Sequence, residues 1–491
     1  MTGLLVAGTT SDAGKTAVTT GLCRALARRG LKVAPYKAQN MSNNSMVCPG
    51  ADGTGTEIGR AQWVQALAAR AVPEPAMNPV LLKPGSDRRS HVVLMGRPWG
   101  QVSSSDWLEG RRALAEAAHA AYDELAARYD VVIAEGAGSP TEINLRAGDY
   151  VNLGLARHAG LPTVVVGDID RGGVFAAFFG TVALLSPEDQ ALVAGFVVNK
   201  FRGDQALLDP GLRDLERLTG RRVFGTVPWH ADLWLDSEDA LELQGRGSVR
   251  PGAPRVAVVR LPRISNFTDV DALGLEPGLD VVFASQPGAL ADADLVVLPG
   301  TRATIADLAW LRSRGLDRAV LAHAAAGKPV LGICGGFQML GRQIRDPHGV
   351  EGGATEADGL GLLDVVTDFV ADKALRVPEG HWHGAVATGY EIHHGRITCG
   401  AGVEEFPGGA RRGQVFGTMW HGALEGDALR ARFLSETLGV APSGVSFPQA
   451  REDRLDLLGD LVEEHLDVDA LLELAACGPP PQLPFLPPGA P

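Results

Sequence analysis

Leu4-Leu5-Val6-Ala7-Gly8-Thr9-Thr10-Ser11-Asp12-Ala13-Gly14-Lys15-Thr16 decides the fold of the first half of this chain. Four apolar residues make a buried-type strand, a glycine-bounded loop follows, and Ala17–Arg29 continues in an Ala/Leu-rich helical pattern. In a strand–loop–helix of this kind, backbone N–H groups and the positive end of the helix surround a phosphate. Thr9, Thr10, Asp12, Ala13 and Gly14 would then line the phosphates of ATP. Lys15 would reach the terminal phosphates and the Thr16 hydroxyl would bind Mg2+. Gly8 stands one residue earlier than the usual phosphate-loop spacing, leaving five residues before Gly14-Lys15-Thr16.

Working outward, β-branched runs alternate with helical patterns, which predicts an α/β fold with a parallel sheet. The expected strands are Gly3–Ala7, Val33–Tyr36, Val131–Ala134, Thr163–Val166 and Gly195–Val198, and the expected helices Ala17–Arg29, Gly59–Ala71 and Trp107–Tyr129. Sites in such sheets lie at the carboxyl ends of strands. There stand Glu135, before Gly136-Ala137-Gly138-Ser139-Pro140, and the pair Asp168 and Asp170 with Arg171. Glu135 is a candidate Mg2+ ligand beside Thr16, and Asn199-Lys200, after a further strand, are candidates to contact the nucleotide base.

A second α/β pattern begins at Arg255, with expected strands Arg255–Leu261, Val281–Ala284, Leu295–Leu298 and Pro329–Gly332. The domain division read from this is 1–240, a linker over 241–254, a second domain over 255–440, and a tail over 441–491. The tail is helical around Asp453–Ala475, and its end, Gly478–Pro491, is too proline-rich to pack. Val330-Leu331-Gly332-Ile333-Cys334-Gly335-Gly336 places a cysteine on a sharp strand-to-helix turn, which exposes the sulfur and aims a helix N-terminus at it. Such a thiol needs a histidine to move protons, and His421, in Thr418-Met419-Trp420-His421-Gly422, is the best candidate. Gly300, in Leu298-Pro299-Gly300-Thr301, would offer a backbone N–H to an oxyanion.

The chain's 491 residues exceed what one core organises, and 45% hydrophobic with 21% charged residues is ordinary for a globular protein. A net charge of −13 without a basic stretch argues against nucleic acid. The apolar runs are strand-sized, the N-terminus reads as a first strand rather than a signal peptide, and the five scattered cysteines lack metal-ligand spacing. No membrane role and a reducing, cytoplasmic location are therefore expected.

The long phosphate loop resembles that of dethiobiotin synthetase and its relatives, which phosphorylate a carboxylate. Gly332-Ile333-Cys334-Gly335-Gly336-Phe337-Gln338 with His421 resembles the class I glutamine amidotransferases, which implies that the second domain of this chain is flavodoxin-like. That resemblance implies that Cys334 attacks glutamine and that Gly335 and Gln338 lie at the glutamine and oxyanion site. His421 is followed by Gly422-Ala423 rather than the usual Pro-Glu, so the third triad residue is left open, with Glu425 a weak candidate.

Further segments are similar to the cobyric acid synthase family, in order along residues 1 to about 475. They are Lys37-Ala38-Gln39-Asn40-Met41-Ser42-Asn43-Asn44-Ser45, Asn78-Pro79-Val80-Leu81-Leu82-Lys83-Pro84, Glu142-Ile143-Asn144-Leu145, Ile264-Ser265-Asn266-Phe267-Thr268-Asp269 and Gly389-Tyr390-Glu391-Ile392-His393. Over Ala51–Arg60 the sequence is longer than the family pattern, which leaves the metal roles of Asp52 and Glu57 open. The resemblance implies ATP- and glutamine-dependent amidation of a corrinoid, adenosyl-cobyrinic a,c-diamide, at its b, d, e and g carboxylates through acyl phosphates. Gln39, Asn40 and Ser42 would bind it, and Lys37, Lys83, Arg88 and Arg89 would supply a basic rim for its carboxylates. Two alternatives remain open: a ligase of the same build, such as cobyrinate a,c-diamide synthase, and a ParA-like switch whose second domain only binds.

Overall fold

The computed structural model describes residues 3–50, 53–86, 89–103, 107–230, 252–352 and 356–486. Six parallel strands form the sheet of the first half, in the order Arg222–Pro228, Val193–Phe201, Thr163–Asp168, Gly3–Gly8, Val131–Glu135, Val33–Tyr36. The strand that feeds the phosphate loop is central and fully buried, with Thr163–Asp168 and Val131–Glu135 on its two sides. Burial on both faces explains why these strands read as continuous apolar runs rather than alternating ones. The helix after the loop runs Lys15–Arg28, two residues earlier at its start than the apolar pattern alone suggests, because Gly14 at φ 94° turns the chain directly into it. A Cβ at Gly14 would fall 1.9 Å from Asn199 Nδ2, so the turn excludes a side chain on two counts.

Between Val33–Tyr36 and Val131–Glu135 the chain builds a separate layer that periodicity did not reveal. Gln39–Met41 pairs in parallel with Val80–Ser86, which continues antiparallel to Arg89–Leu94 and then Arg97–Ser103. Ser45–Pro49 and Gly55–Gly59 form a hairpin beside it. This layer carries the Lys37–Ser45 and Asn78–Pro84 segments toward the second half.

The second half contains a seven-stranded sheet, parallel across Asp280–Ala284, Arg255–Val259, Leu295–Leu298, Val330–Ile333 and Val415–Thr418, then antiparallel through Gly409–Arg412 to Glu404–Phe406. A smaller sheet, Glu356–Asp358, Gln343–Arg345, Val365–Arg376 and Glu391–Cys399, lies beside it.

The tail returns to the first half. Its helix Phe447–His465 lies against Lys15–Arg28, and Leu455, Val462, Leu466 and Leu471 join the same core as Val18, Leu22 and Leu26. Each such buried side chain contributes about 1.5–3 kcal/mol. Arg24 donates to Glu452 and Asp456 at 2.7 Å, and Arg28 to Asp456 and Asp460 at 2.7 and 2.6 Å. The proline-rich end packs as well, against expectation, as far as Leu486. Its backbone N–H donates to Gln190 Oε1 at 2.9 Å, and the buried Arg221 donates to the Pro484 carbonyl at 2.9 Å. Prolines lack donors, but their carbonyls serve a guanidinium whose other partners are also main-chain carbonyls.

Candidate active sites

At the phosphate loop, Lys15 Nζ donates to the carbonyls of Thr10, Ser11 and Gly138 at 2.9, 3.1 and 3.1 Å, so the ammonium sits inside the curl of the loop. Thr16 Oγ1 donates to Glu135 Oε1 at 2.9 Å. The same carboxylate accepts from Lys37 Nζ at 3.0 Å and from Gln65 Nε2 at 2.6 Å. Burial would raise the Glu135 pKa, but Lys37, Gln65 and Lys15 outweigh it and hold the group below its ordinary value, hence ionised. A hydroxyl and an ionised carboxylate at a phosphate loop are a donor set that fits Mg2+ held jointly with nucleotide phosphates.

Thr9 N–H donates to the Val166 carbonyl at 2.9 Å, and Asn199 Nδ2 to the Ala13 carbonyl at 3.0 Å. Lys200 Nζ bridges the Asp12 carbonyl and Asp168 Oδ2, both at 2.9 Å. Asn199 and Lys200 thus brace the loop from behind. Asp52 and Arg88 lie outside the described residues, as does the side chain of Arg89.

A cleft of about 880 Å³ opens in front of this loop. Lys15, Lys37, Gln39, Asn40 and Ser42 all line it. Lys37 is nevertheless a buried partner of Glu135 rather than a rim charge. Asn40 Nδ2 is engaged with Gln62 Oε1 at 2.9 Å, and Gln39 accepts from the Tyr150 hydroxyl. The opposite wall comes from the second half, through Arg260, Leu261, Ile264 and Trp310, and Arg111 adds positive charge, while Arg146 is paired with Asp189 at 2.5 Å.

The second site lies where Val330–Ile333 ends. Cys334 adopts φ 49°, ψ −106°, a conformation a non-glycine residue reaches only under strain of order 1–3 kcal/mol. Its N–H donates to the Thr418 carbonyl at 2.7 Å, and Gly335 begins the short helix Gly335–Leu340 behind it. His421 is fixed on three sides. Its backbone pairs with Tyr390 in both directions at 2.9 and 3.0 Å, its ring stacks on the Tyr390 ring, and Nδ1 lies 2.7 Å from Asp269 Oδ2. The second Asp269 oxygen accepts the Gly422 N–H at 2.7 Å. Burial would lower the His421 pKa, but the hydrogen-bonded Asp269 carboxylate and the neighbouring Cys334 outweigh this and raise it to about 10. A thiol, an imidazole and a carboxylate in series can take up and return a proton during attack on an amide.

The third member of this series is therefore Asp269, which the sequence reading did not assign. Glu425 is committed elsewhere, accepting from Arg60 at 2.8 Å and Arg451 at 2.6 Å. The signal for Asp269 was present in the segment Ile264–Asp269, but nothing in sequence spacing joins a residue on one side of the domain to His421 on the other. Gly300 lies close against the imidazole, where a Cβ would come within 2.9 Å of His421 Cε1. Gln338 Oε1 accepts from Thr304 Oγ1 at 3.0 Å.

Cys334, His421 and Gln338 line a cavity of about 60 Å³ together with Arg302, Glu351 and Lys373. Lys83 lines this cavity, not the cleft, which corrects its expected place on a corrinoid rim. Glu57 is likewise no metal ligand: it is locked between Lys83, Lys373 at 2.5 Å and the Ser45 hydroxyl at 2.7 Å. Burial would raise the Glu57 carboxyl, but Lys373 and Lys83 outweigh it and hold it well below the carboxylate range. No group of three or more His, Cys, Asp or Glu placed to hold a metal occurs among the described residues. No helix among them is long and apolar enough to cross a membrane.

A nucleotide-binding half joined to a thiol–imidazole–carboxylate half defines a two-domain glutamine-hydrolysing ligase. A family model described as a CobQ/CobB/MinD/ParA nucleotide binding domain matches residues 4–242, and one described as a CobB/CobQ-like glutamine amidotransferase domain matches residues 255–429. The chain is 88% identical over 491 residues to the cobyric acid synthase of Mycolicibacterium vanbaalenii, covering 100% of both. It is 85% identical to that of Mycolicibacterium gilvum and 78% identical to that of Mycobacterium ulcerans, again over 100% of both chains. The chain belongs to the cobyric acid synthase family, which sets aside the reading of its second half as a binding module.

Proposed function

We propose that this protein converts adenosyl-cobyrinic a,c-diamide to adenosyl-cobyric acid by amidating its b, d, e and g carboxylates, with one ATP and one glutamine consumed per amide. The observation that carries this reading is the 880 Å³ cleft, where the phosphate-loop Lys15 and the apolar wall at Leu261, Ile264 and Trp310 face one space. A corrin ring is broad and apolar with carboxylates at its edge, so a wall of this kind beside a phosphate site suits it. Arg111 and Arg260 supply counter-charge in this cleft in place of Lys37 and Lys83.

In the ligase half, a substrate carboxylate oxygen attacks the γ-phosphorus of ATP, and ADP leaves. Lys15 and the loop N–H groups offset the charge that builds on the phosphoryl oxygens. Thr16 and Glu135 would hold Mg2+, which would supply further charge neutralisation there. In the amidotransferase half, Cys334 sulfur attacks the glutamine amide carbon, and His421 passes the proton to the departing ammonia. Water then cleaves the glutamyl thioester to glutamate and restores the thiol. Asp269 holds the imidazole in the tautomer that this requires. Ammonia attacks the acyl phosphate carbon, and phosphate leaves.

Mass spectrometry of adenosyl-cobyrinic a,c-diamide incubated with the protein, Mg-ATP and glutamine tests the reading. Four successive exchanges of OH for NH2 are expected. Glutamine hydrolysis without any mass change in the corrinoid would overturn the substrate assignment, and amidation of cobyrinate at its a and c positions would replace it.

A further inference from the structure

The thiol cavity and the cleft are separated by a single layer of chain. Lys83 lines the cavity and Pro84 the cleft. In the segment that leads to Asp269, Ser265 and Asn266 line the cavity while Ile264 and Phe267 line the cleft. Asn43 lines both. Its carboxamide is held only loosely, donating from Nδ2 to the Pro84 carbonyl at 3.5 Å, the outer limit of a hydrogen bond. Its Oδ1 is buried with no hydrogen-bond partner among the described residues. An unpaired buried acceptor is costly, and one placed in a shared wall is a place where an N–H donor fits.

We propose that ammonia formed at Cys334 enters the cleft past the Asn43 side chain, whose rotation opens the partition and whose Oδ1 accepts an N–H from the passing molecule. The proposal rests on the reading of Cys334 as the source of ammonia. Lys83, Lys373 and Arg302 line the cavity with Glu351, and Glu57 lies between the two lysines, so cations outnumber carboxylates there and disfavour ammonium. Neutral ammonia is the nucleophile, whereas ammonium has no lone pair to offer an acyl phosphate. The short path also explains why the Lys37–Ser45 segment reaches from the ATP site to the second half. Ser45 N–H donates to Asn266 Oδ1 at 3.0 Å, which pins the two sides of the partition together next to Asn43.

The test compares amide formed from glutamine with amide formed from added ammonium chloride at a pH where free ammonia is abundant. Asn43→Leu fills the passage with an apolar branch, and Asn43→Ala leaves it open without the acceptor. For Asn43→Leu, the ratio of glutamine- to ammonium-supported amidation is expected to fall at least about tenfold, with glutamate accumulating in excess of amide. For Asn43→Ala, that ratio is expected to stay within about threefold of the parent protein. An unchanged ratio in Asn43→Leu would overturn the proposal, as would equal loss with both nitrogen sources, which would make Asn43 part of the ligase site. If the unaltered protein makes amide from ammonium but none from glutamine, the ammonia source itself is wrong. That pattern is distinct from any variant-specific result.

Discussion

His421 Nδ1 lies 2.7 Å from Asp269 Oδ2 although 152 positions separate them in sequence. Both side chains are buried, so the pair is shielded from water and neither can rotate away without leaving a buried polar group unpaired. Asp269→Asn is expected to keep the fold but lower glutamine-dependent amidation by roughly 10²–10⁴-fold, because an amide cannot hold the imidazole as the carboxylate does. Amidation from ammonium chloride should persist. Steady-state rates with the two nitrogen sources check this, and parallel loss of both would show that Asp269 acts through the fold alone.

The same pair makes stability depend on pH. Asp269 and Cys334 overcome burial and raise the His421 pKa to about 10, from the ordinary 6.5 of an unfolded chain. A raised pKa means the folded state holds the proton more tightly. Its stabilisation is complete below about pH 6.5 and is lost as pH rises through about 10. Urea midpoints measured between pH 7 and 10 should fall with rising pH, and fall less steeply in Asp269→Asn. Parallel slopes for the two proteins would contradict the assignment.

Glu57 joins Lys83 of the first half to Lys373 of the second. Glu57→Leu leaves the buried Lys83 and the part-buried Lys373 without their shared carboxylate, and a loss of about 3–5 kcal/mol is expected. Denaturant unfolding followed by fluorescence measures it. Glu57→Gln, which keeps shape and a hydrogen-bond acceptor, should cost less than Glu57→Leu.

Glu425 offers a contrast with Asp269. Because it serves Arg60 and Arg451, Glu425→Gln should reduce thermal stability while leaving glutamine hydrolysis within about threefold of the parent rate. A loss of hydrolysis as large as that in Asp269→Asn would return Glu425 to the proton relay.

Much of this was legible in the sequence for a physical reason. Central strands such as Val131–Glu135 and Leu295–Leu298 are buried on both faces, so apolar runs mark them without ambiguity. Cys334 was equally visible, since a strand, a cysteine and paired glycines admit few conformations. What stayed hidden depends on contacts distant in sequence. Lys83 looks like any exposed lysine until Glu57 and Lys373 close around it. The short strands Gln39–Met41 and Ser45–Pro49 carry no clear period of two, because they are held by ladders to Val80–Ser86 and Gly55–Gly59 rather than by one apolar face. The proline-rich end reads as unpackable because composition says nothing of the guanidinium of Arg221 waiting for its carbonyls.

The return of the tail onto the helix Lys15–Arg28 has a consequence for birth on the ribosome. The apolar face formed by Val18, Leu22 and Leu26 is among the first parts of the chain to emerge, yet Leu455 and Val462, which cover it, are among the last. At about 5–20 residues per second, the nascent ATP-binding half waits on the order of tens of seconds with that face uncovered. A chain interrupted near residue 440 would carry every strand of both sheets and still present a sticky helix to its neighbours.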